Sequence, residues 1–303
     1  MKSAAMLIVD KPAGLTSHDV VQKVRRAMGC RAGHTGTLDP RATGVLLVCL
    51  GKATRLARFL QRQDKIYDCE IRLGWATDSY DADGEPTADP VPVPALEIDE
   101  IRAALGKFVG TIEQVPPAFS AKKIRGQPAY KRARRGEVVE PDPVQVTIHS
   151  IENVEFAEET IRCRVHCGSG TYVRTLAHEA GASLGVPAHL AELRRISVGD
   201  FGLEESVDWE ALEGENREAL WDRTIDPARM FPGWATVTLN DTGLAVVANG
   251  GVIEPNGISE RRRASASDPE HGEWVRVLRP DGTLLAAAEM LPGGMFQPRV
   301  VLG

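Results

Sequence analysis

The chain has few cysteines, and they lack the spacing that would give them a structural or metal-binding role. Five cysteines among 303 residues are an odd number. None forms the paired CxxC spacing of a zinc site or the dense framework of a small secreted scaffold. In "IRCRVHCG", Cys163 and Cys167 share one face of a predicted strand with Ile161 and Val165. We therefore expect small buried hydrophobic residues and no metal site.

Long hydrophobic runs are also missing. The longest one near the N-terminus, "AAMLIV", is far shorter than the roughly 20 apolar residues of a membrane helix. It is followed at once by "DKP", so the sequence predicts neither a signal peptide nor a membrane span, and it favours a cytoplasmic location. With 43% apolar and 26% charged residues, the chain has the composition of a globular protein with one large domain and one small domain.

Sequence motifs for cofactors and for hydrolysis are incomplete or absent. "GKAT" at 51–54 resembles the end of a phosphate-binding loop, but Ala53 occupies the Ser/Thr position, and there is no GxGxxG. "DADGE" resembles part of a calcium loop, yet Pro90 stands where the closing glutamate belongs. No serine lies in a GxSxG elbow. We expect no nucleotide, metal or other cofactor, and the pattern argues against a hydrolase.

Charge is unevenly distributed. The net charge of −6 argues against a nucleic-acid binder by bulk electrostatics, but residues 122–135, "KKIRGQPAYKRARR", contain seven basic residues and no acidic one. Such a run is either a solvated helix face or a clamp that contacts phosphates and releases their counterions. The flanking "VPPAFS" and "EPDPVQV" indicate an excursion from a sheet.

Hydrophobic periodicity predicts alternating strands and helices. "AMLIVDKP" is a predicted strand, and "LTSHDVVQKVRRAMG" a helix capped by Thr16 or Ser17 and ended by Gly29. "VLLVCLG" is a predicted buried strand, "TRLARFLQRQ" an amphipathic helix, and "KIYDCEIRLGW" a half-buried strand with Tyr67 on its inner face.

The second half of the chain continues this pattern and then changes. Helical spacing runs from Glu97 to Val109, and "GTYVRTLAHEAGASLG" predicts a helix from Thr171 to near Gly185. "PARMFPGWAT" has the composition of a linker. Beyond it, short strand patterns separated by "NGG", "NGIS" and "PDGT" predict a small all-β module.

One stretch, "GHTGTLDPRATGVL" at 33–46, is rich in residues that shape the backbone. Gly33, Gly36 and Gly44 permit positive φ or close backbone approach, and Pro40 pushes Asp39 out of helical geometry. We interpret the stretch as a loop that places one carboxylate. Taken without the rest of the stretch, Asp39 and Pro40 are explained equally well as an ordinary Asp-Pro turn.

Several motifs occur in a fixed order around this loop: "GHTGTLDPRATGVLLVCLGKATR", "KIYD", "DADG", "GTYVRTLAHEAG" and "HLAELRR". Together they closely resemble the bacterial tRNA pseudouridine synthases of the TruB family, which convert the T-loop uridine at position 55 to pseudouridine. The resemblance extends from "LIVDKPAGLTSHDVV" to "LRRISVG", covers the basic excursion, and is weaker towards the C-terminus.

The resemblance implies an α+β fold with a mixed, mainly antiparallel sheet flanked by helices. A catalytic domain would span residues 1–232, with the basic excursion at about 115–140 as a thumb that closes over the RNA. Residues 236–303 would form a small PUA-like β-barrel that binds RNA.

The resemblance also implies roles for individual residues. Asp39 is the implied catalytic carboxylate, Arg174 its ion-pair partner, and Tyr67 the ring that stacks on uracil and whose hydroxyl acts on the C5 proton. Without the motifs, Tyr67 is equally a strand core residue and Arg174 a surface helix residue. The implied substrate-binding and supporting residues are Lys11, His34, Asp81, Tyr172 and Leu193, and, in the thumb, Lys131, Arg132, Arg134 and Arg135.

Two other readings remain open. One is a guide-RNA-dependent relative that works as the catalytic subunit of a ribonucleoprotein, and the other is a non-catalytic RNA-binding or RNA-folding protein. The expected substrate of the stand-alone enzyme is the T-arm stem-loop of tRNA. We expect a monomer with no cofactor, no membrane association and no obligate protein partner.

Overall fold

The chain is built around one large mixed sheet with helices packed against it. A computed structural model describes residues 4–117, 123–124, 127–128, 141–263 and 273–303. The strands in these ranges are β1 (Ala4–Lys11), β2 (Ala32–His34), β3 (Thr43–Gly51), β4 (Lys65–Leu73), β5 (Gly110–Gln114), β6 (Lys123–Ile124), β7 (Gln127–Pro128), β8 (Val144–Ala157), β9 (Thr160–Cys167), β10 (Ala188–Val198), β11 (Phe201–Gly202), β12 (Thr236–Leu239), β13 (Ile258–Arg262), β14 (Trp274–Leu278), β15 (Leu284–Leu291) and β16 (Met295–Val301).

The main path of the large sheet runs β1-β3-β10-β4-β9-β8-β5, with β2 added to β3 and β11 to β10. Neighbours along it are antiparallel except for a short parallel contact of β10 with β3, where Arg195 pairs with Gly44. Gly44 also pairs with Lys11 at the end of β1. Three strands therefore meet at Gly44, directly after the loop that carries Asp39.

Helices connect the strands in the described part of the chain. They are α1 (Ser17–Met28), α2 (Ala57–Leu60), α3 (Ile98–Gly106), α4 (Val173–Ser183), α5 (Trp209–Gly214), α6 (Arg217–Asp222) and α7 (Asp241–Ala248). Thr16 caps α1 in a capping box with Asp19, and Gly29 ends it at a φ of 64°. Both predicted ends of α1 are confirmed.

Residues 236–303 contribute a second sheet, whose order among the described residues is β13-β12-β14-β15-β16. Phe59 of α2 packs against Phe231, Trp234 and Trp274 with ring centroids 5.9, 5.1 and 4.5 Å away. These aromatic rings belong to a buried cluster that joins the two sheets. The predicted α+β class and the sheet in the C-terminal part are thereby confirmed, whereas the domain boundaries and the PUA-like barrel stay predictions.

Two sequence predictions were wrong in detail. "TRLARFLQRQ" forms a 3-10 turn followed by the four-residue α2, not one amphipathic helix. The predicted linker "PARMFPGWAT" buries Met230 and Phe231 in the aromatic cluster, and its role as a domain linker stays a prediction. The C-terminal module is not all β, because Asn240 caps α7 by accepting a hydrogen bond from the Gly243 amide.

The burial of the cysteines agrees with their predicted role. Cys49, Cys69, Cys163 and Cys167 are buried and Cys30 is partly buried. On β9 the inward face carries Ile161, Cys163, Val165 and Cys167, as the alternation predicted. In the described part of the chain, no helix is long and apolar enough to cross a membrane.

Gly44 is the position where the backbone leaves no room for a side chain. Its φ is 99°, and a Cβ there would overlap the carbonyl oxygen of Arg195 on β10. We predict that Gly44→Ala lowers the free energy of unfolding by about 1–3 kcal/mol from the φ strain alone, with the overlap adding to this.

Chemical denaturation of the wild type, of Gly44→Ala and of a control variant measures this loss of unfolding free energy. Gly106→Ala at the exposed end of α3 is the matched control, because nothing lies within 4 Å of the added Cβ. It should change stability by less than about 1 kcal/mol, in the stabilising direction. Equal effects of the two substitutions would contradict the close approach of β3 and β10.

Candidate active site

The loop between β2 and β3 holds Asp39 by its backbone on both sides. Before Asp39, the buried Ser17 hydroxyl donates to the Leu38 carbonyl at 2.9 Å and accepts from the Leu38 amide at 2.8 Å. After Asp39, the Pro40 carbonyl accepts from Lys11 Nζ at 2.9 Å and from the Gly14 amide at 2.9 Å. These four hydrogen bonds leave the Asp39 backbone little freedom.

Arg174 directs the Asp39 carboxylate. Its Nε lies 3.1 Å from Asp39 Oδ2, and its Nη1 lies 3.0 Å from Asp81 Oδ2. The guanidinium therefore sits between two carboxylates at the start of α4, with only 8% of its side chain exposed. The alternative that Arg174 is a surface helix residue is wrong, because its planar fork is buried and paired.

Asp81 is held by its own loop. Its Oδ1 accepts from the Ser79 hydroxyl at 2.5 Å and from the Asp83 amide at 3.1 Å, and its carbonyl accepts from the Thr77 hydroxyl at 2.6 Å. Oδ2 is left facing Arg174. The "DADG" motif thus fixes the direction of Asp81 and, through Arg174, that of Asp39.

Tyr67 lies on the inner face of β4 and is 8% exposed. Arg195, its strand partner on β10, places a positive charge near the Tyr67 phenol. Arg195 is itself 2% exposed, and it donates from Nε to the Val45 carbonyl at 2.6 Å and from Nη2 to the Gly36 carbonyl at 3.1 Å. One buried guanidinium, on the strand partner of Tyr67, therefore holds both ends of the Asp39 loop.

A cavity of about 230 Å³ opens over these groups. Asp39, Tyr67, Arg174, Tyr172 and Leu193, five of the sequence-predicted residues, line it. Backbone atoms of Tyr172 are held by the buried Gln114 side chain, which accepts from the Tyr172 amide at 3.0 Å and donates to its carbonyl at 3.3 Å. The fold thus gathers residues from β4, β10, the start of α4 and the β2–β3 loop.

Other predicted residues lie outside the cavity wall. Lys11 is fully buried behind the Asp39 loop and also donates to the Pro12 carbonyl at 2.8 Å. His34 ends β2, and its Nδ1 is buried with no hydrogen-bond partner in the described part of the chain. The thumb residues Lys131, Arg132, Arg134 and Arg135 lie outside the described residues.

Sequence reasoning missed Arg195, Gln114 and Lys65, and it treated Ser17 as a capping candidate only. In "LRRIS" one arginine of the pair had to face inwards because strand residues alternate. Arg194 faces outwards and pairs with Asp10 at 2.7 Å, so Arg195 is the buried one. No local pattern identifies the partners of Gln114 or Ser17, since these are distant in sequence.

Burial and charge oppose each other at Asp39. Two fifths of its side chain is exposed to the cavity. Desolvation raises the pKa of Asp39 above its ordinary value, Arg174 and Lys11 act to lower it, and Asp81 and Asp83 raise it further. Desolvation also lowers the pKa of Lys11 to about 8, which the charge of Asp39 partly offsets.

The burial of Tyr67 has a similar electrostatic effect. It raises the pKa of the Tyr67 phenol, while the charge of the Arg195 guanidinium acts to lower it. The arrangement can present a directed carboxylate and a phenol to a flat, uncharged molecule inside a small cavity. A carboxylate and a phenol placed in this way are the groups that nucleophilic and acid–base catalysis require.

Comparison with known proteins agrees with this arrangement. Residues 23–173 match the model of the TruB family pseudouridylate synthase N-terminal domain, and residues 174–230 match that of the tRNA pseudouridylate synthase B C-terminal domain. The fold is thus that of a pseudouridine synthase. The chain belongs to the TruB family.

Relatives match over most of their length. The tRNA pseudouridine synthase B of Solibacter usitatus is 40% identical over 98% of this chain and 99% of the relative. That of Thermobifida fusca is 42% identical over 98% and 97%. Among solved structures, a chain of a Cbf5–Nop10–Gar1 complex has a TM-score of 0.74 and 25% identity, covering 99% of this chain and 85% of that one.

The hydrogen bonds of Ser17 generate a stability prediction. Ser17→Ala leaves the buried Leu38 amide and carbonyl without these partners, so we expect a loss of about 1–3 kcal/mol in unfolding free energy. Hydrogen exchange of the Leu38 amide should accelerate with it.

Denaturant titration and exchange measured by NMR test both effects. Ser206→Ala is the control, because the Ser206 hydroxyl bonds only locally, to the Leu203 carbonyl at 2.6 Å, and is half-buried. A Leu38 amide that exchanges at the wild-type rate in Ser17→Ala would show that the loop does not depend on Ser17.

Proposed function

We propose that the chain isomerises the T-loop uridine of tRNA, at position 55, to pseudouridine, with Asp39 as the nucleophile. The observation that carries the assignment is the ion pair between Arg174 and Asp39. Arg174 Nε lies 3.1 Å from Asp39 Oδ2 and directs this carboxylate into the cavity. Pseudouridine formation in tRNA is the activity named for the family to which the chain belongs. The experiments below test the roles of the residues.

The reaction breaks the C1′–N1 bond of uridine, rotates the uracil and joins C1′ to C5; C5 loses a proton and N1 gains one. The isomerisation consumes no co-substrate, so it depends on positioning and on the retention of the detached base. Asp39 attacks C1′, attacks the base or assists glycal formation. Each route requires the ionised carboxylate, which Arg174 favours against the desolvation of the cavity.

Tyr67 and Leu193 form the walls for the base in this proposal. Both line the cavity, and Tyr67 stands two residues from Cys69, the strand partner of Leu193. The Tyr67 ring would stack on uracil, and its hydroxyl would take part in the transfer of the C5 proton. The charge of Arg195, the strand partner of Tyr67, would favour the ionised form of that hydroxyl.

Access to a base inside folded RNA requires its extrusion, which costs on the order of a few kcal/mol. We propose that His34 takes the vacated space and that the thumb offsets the cost through phosphate contacts of Lys131, Arg132, Arg134 and Arg135. The second sheet would add RNA contacts as a PUA-like module, and Arg261 and Arg262 on its edge strand β13 are exposed.

A guide-dependent subunit is the second candidate, because one similar solved chain belongs to a Cbf5–Nop10–Gar1 complex. That similarity is 25% identity, whereas relatives named tRNA pseudouridine synthase B reach 40–42% over nearly the whole chain. We therefore propose a stand-alone enzyme that works in the cytoplasm as a monomer without an obligate protein partner.

The first test measures tritium release from a [5-³H]uridine-labelled T-arm stem-loop in the presence of the chain alone. We expect release by the wild type and none by Asp39→Asn, which lacks the nucleophile. Because the pKa of Asp39 is raised in the folded state, its ionisation weakens folding above that pKa. Asp39→Asn should therefore be at least as stable at neutral pH, which serves as the control.

Release by Asp39→Asn at the wild-type rate would refute the role of Asp39. Absence of release by the wild type, with tight RNA binding retained, would favour the guided or the non-catalytic reading. Addition of a guide RNA with its partner proteins would then separate these two.

The second test is the pH dependence of single-turnover rates. Activity should fall as the pH falls through the raised pKa of Asp39, since the protonated carboxyl is not a nucleophile. The acid limb of the pH–rate profile is the range in which activity falls as Asp39 is protonated. Removal of the guanidinium in Arg174→Gln should move this acid limb to higher pH by about 1–3 units.

Arg174→Lys is the matched comparison, because it keeps the charge but loses the planar fork. Its acid limb should move less than that of Arg174→Gln, while turnover slows more than RNA binding weakens. Identical acid limbs in all three proteins would show that Arg174 does not control the ionisation of Asp39.

A further inference from the structure

A group of three side chains on the outer face of the large sheet has no part in the proposed reaction. Among the described residues, Asp64, His149 and His166 are the one set of His, Cys, Asp and Glu side chains whose ligand atoms converge as a metal site requires, all within 4.8 Å of one another. Asp64 Oδ2 lies 3.2 Å from His149 Nε2 and 3.9 Å from His166 Nε2. Each of the two imidazoles thus directs its Nε2 atom at the same oxygen, Asp64 Oδ2.

The sheet itself creates this convergence. His166 lies on the outward face of β9, and β4 begins beside it, with Asp64 directly before the pair of Lys65 with Cys167. On β8 the register shifts between Ile148 and Ser150, so His149 is an extra residue opposite β9. Such a bulge re-aims a side chain, and here it turns His149 towards His166. Their ring centroids are 4.6 Å apart.

The distances suit a small transition-metal ion. Tetrahedral Zn²⁺ with bonds of about 2.0–2.2 Å to nitrogen and oxygen places its ligand atoms about 3.3–3.5 Å apart. The Asp64 separations of 3.2 Å and 3.9 Å bracket that value, and all three ligand atoms lie within 4.8 Å of one another. Imidazole and carboxylate donors together suit Zn²⁺, Cu²⁺ or Ni²⁺, whereas Mg²⁺ and Ca²⁺ prefer oxygen ligands only.

We propose that Asp64, His149 and His166 bind one divalent transition-metal ion, with Zn²⁺ as the reference case. Between 37% and 49% of each side chain is exposed, so the ion can enter directly and the remaining coordination positions face solvent. The site ties together the start of β4, the bulge in β8 and the end of β9.

The position of the site beside the cavity gives it a structural role. Lys65, next to Asp64, and Gly168, two residues after His166, both line the cavity. The Gly168 amide donates to the Thr147 carbonyl at 2.8 Å, which connects this wall to β8. A bound ion would therefore stabilise the part of the cavity wall that Lys65 and Gly168 form.

Isothermal titration of the full chain, first freed of metal with EDTA, tests the proposal with ZnCl₂ as the ligand. We expect one ion per chain and an affinity at least about tenfold lower in His149→Ala, in His166→Ala and in Asp64→Ala, since even outer-sphere partners are worth about 10- to 100-fold. His18→Ala, which removes an exposed histidine of α1, should bind as the wild type does. MgCl₂ should not bind at this site.

Two further measurements keep the result interpretable. Thermal unfolding in EDTA should be the same for the wild type and the histidine variants, and added Zn²⁺ should raise the midpoint of the wild type only. Co²⁺ should give visible absorption bands that Zn²⁺ removes, which reports ligation without any substitution. Absence of a stoichiometric site in the wild type, or zinc binding that persists unchanged in both histidine variants, would overturn the proposal.

Discussion

The ion pairs of Arg174 with Asp39 and Asp81 are the interaction on which the rest of the site depends. A carboxylate withdrawn from water is unfavourable unless a partner compensates for the lost hydration. A single guanidinium serves both carboxylates, and its own direction is set by the start of α4 and by the hydrogen-bonded loop around Asp81. Because the Asp39 backbone is clamped as well, the carboxylate oxygen has a defined position before any substrate arrives.

The same site contains several buried cations, which do not stabilise a fold by themselves. Lys11, Lys65 and Arg195 are all buried, and desolvation lowers the pKa of each of the two lysines to about 8. Their donors end on backbone carbonyls around the Asp39 loop and at the start of β4. Burial of these positive charges opposes folding. The same charges suit a cavity that receives a segment of a polyanion, so stability and function conflict here.

The large sheet uses its two faces differently. Inward residues of β4, β9 and β10 form the core and the cavity, whereas outward residues form ion pairs such as Arg164 with Asp68 at 2.7 Å. A single bulge in β8 is enough to bring His149 towards its neighbours on the outer face. Irregularities in register thus create local chemistry that strict alternation would prevent.

The sequence by itself determined the local elements and the identity of the candidate site. Alternation and helical periodicity identified β4, β9, α1 and α4, because burial on one face requires those periods, and a continuous apolar run identified the fully buried β3. Backbone-shaping residues around Asp39 pointed to a placed carboxylate, and the ordered motifs pointed to Tyr67, Arg174 and Asp81 as its companions. Only Gly44 of the three glycines in that loop adopts positive φ, which composition could not reveal.

The tertiary structure decided which distant groups meet. Ser17 holds Leu38 across 21 positions of the chain, and Arg195 reaches Gly36 across 159. The three ligands of the proposed metal site come from three strands and share no sequence spacing. Such contacts depend on strand order and register, which follow from the packing of the whole sheet, and a local pattern carries no information about them.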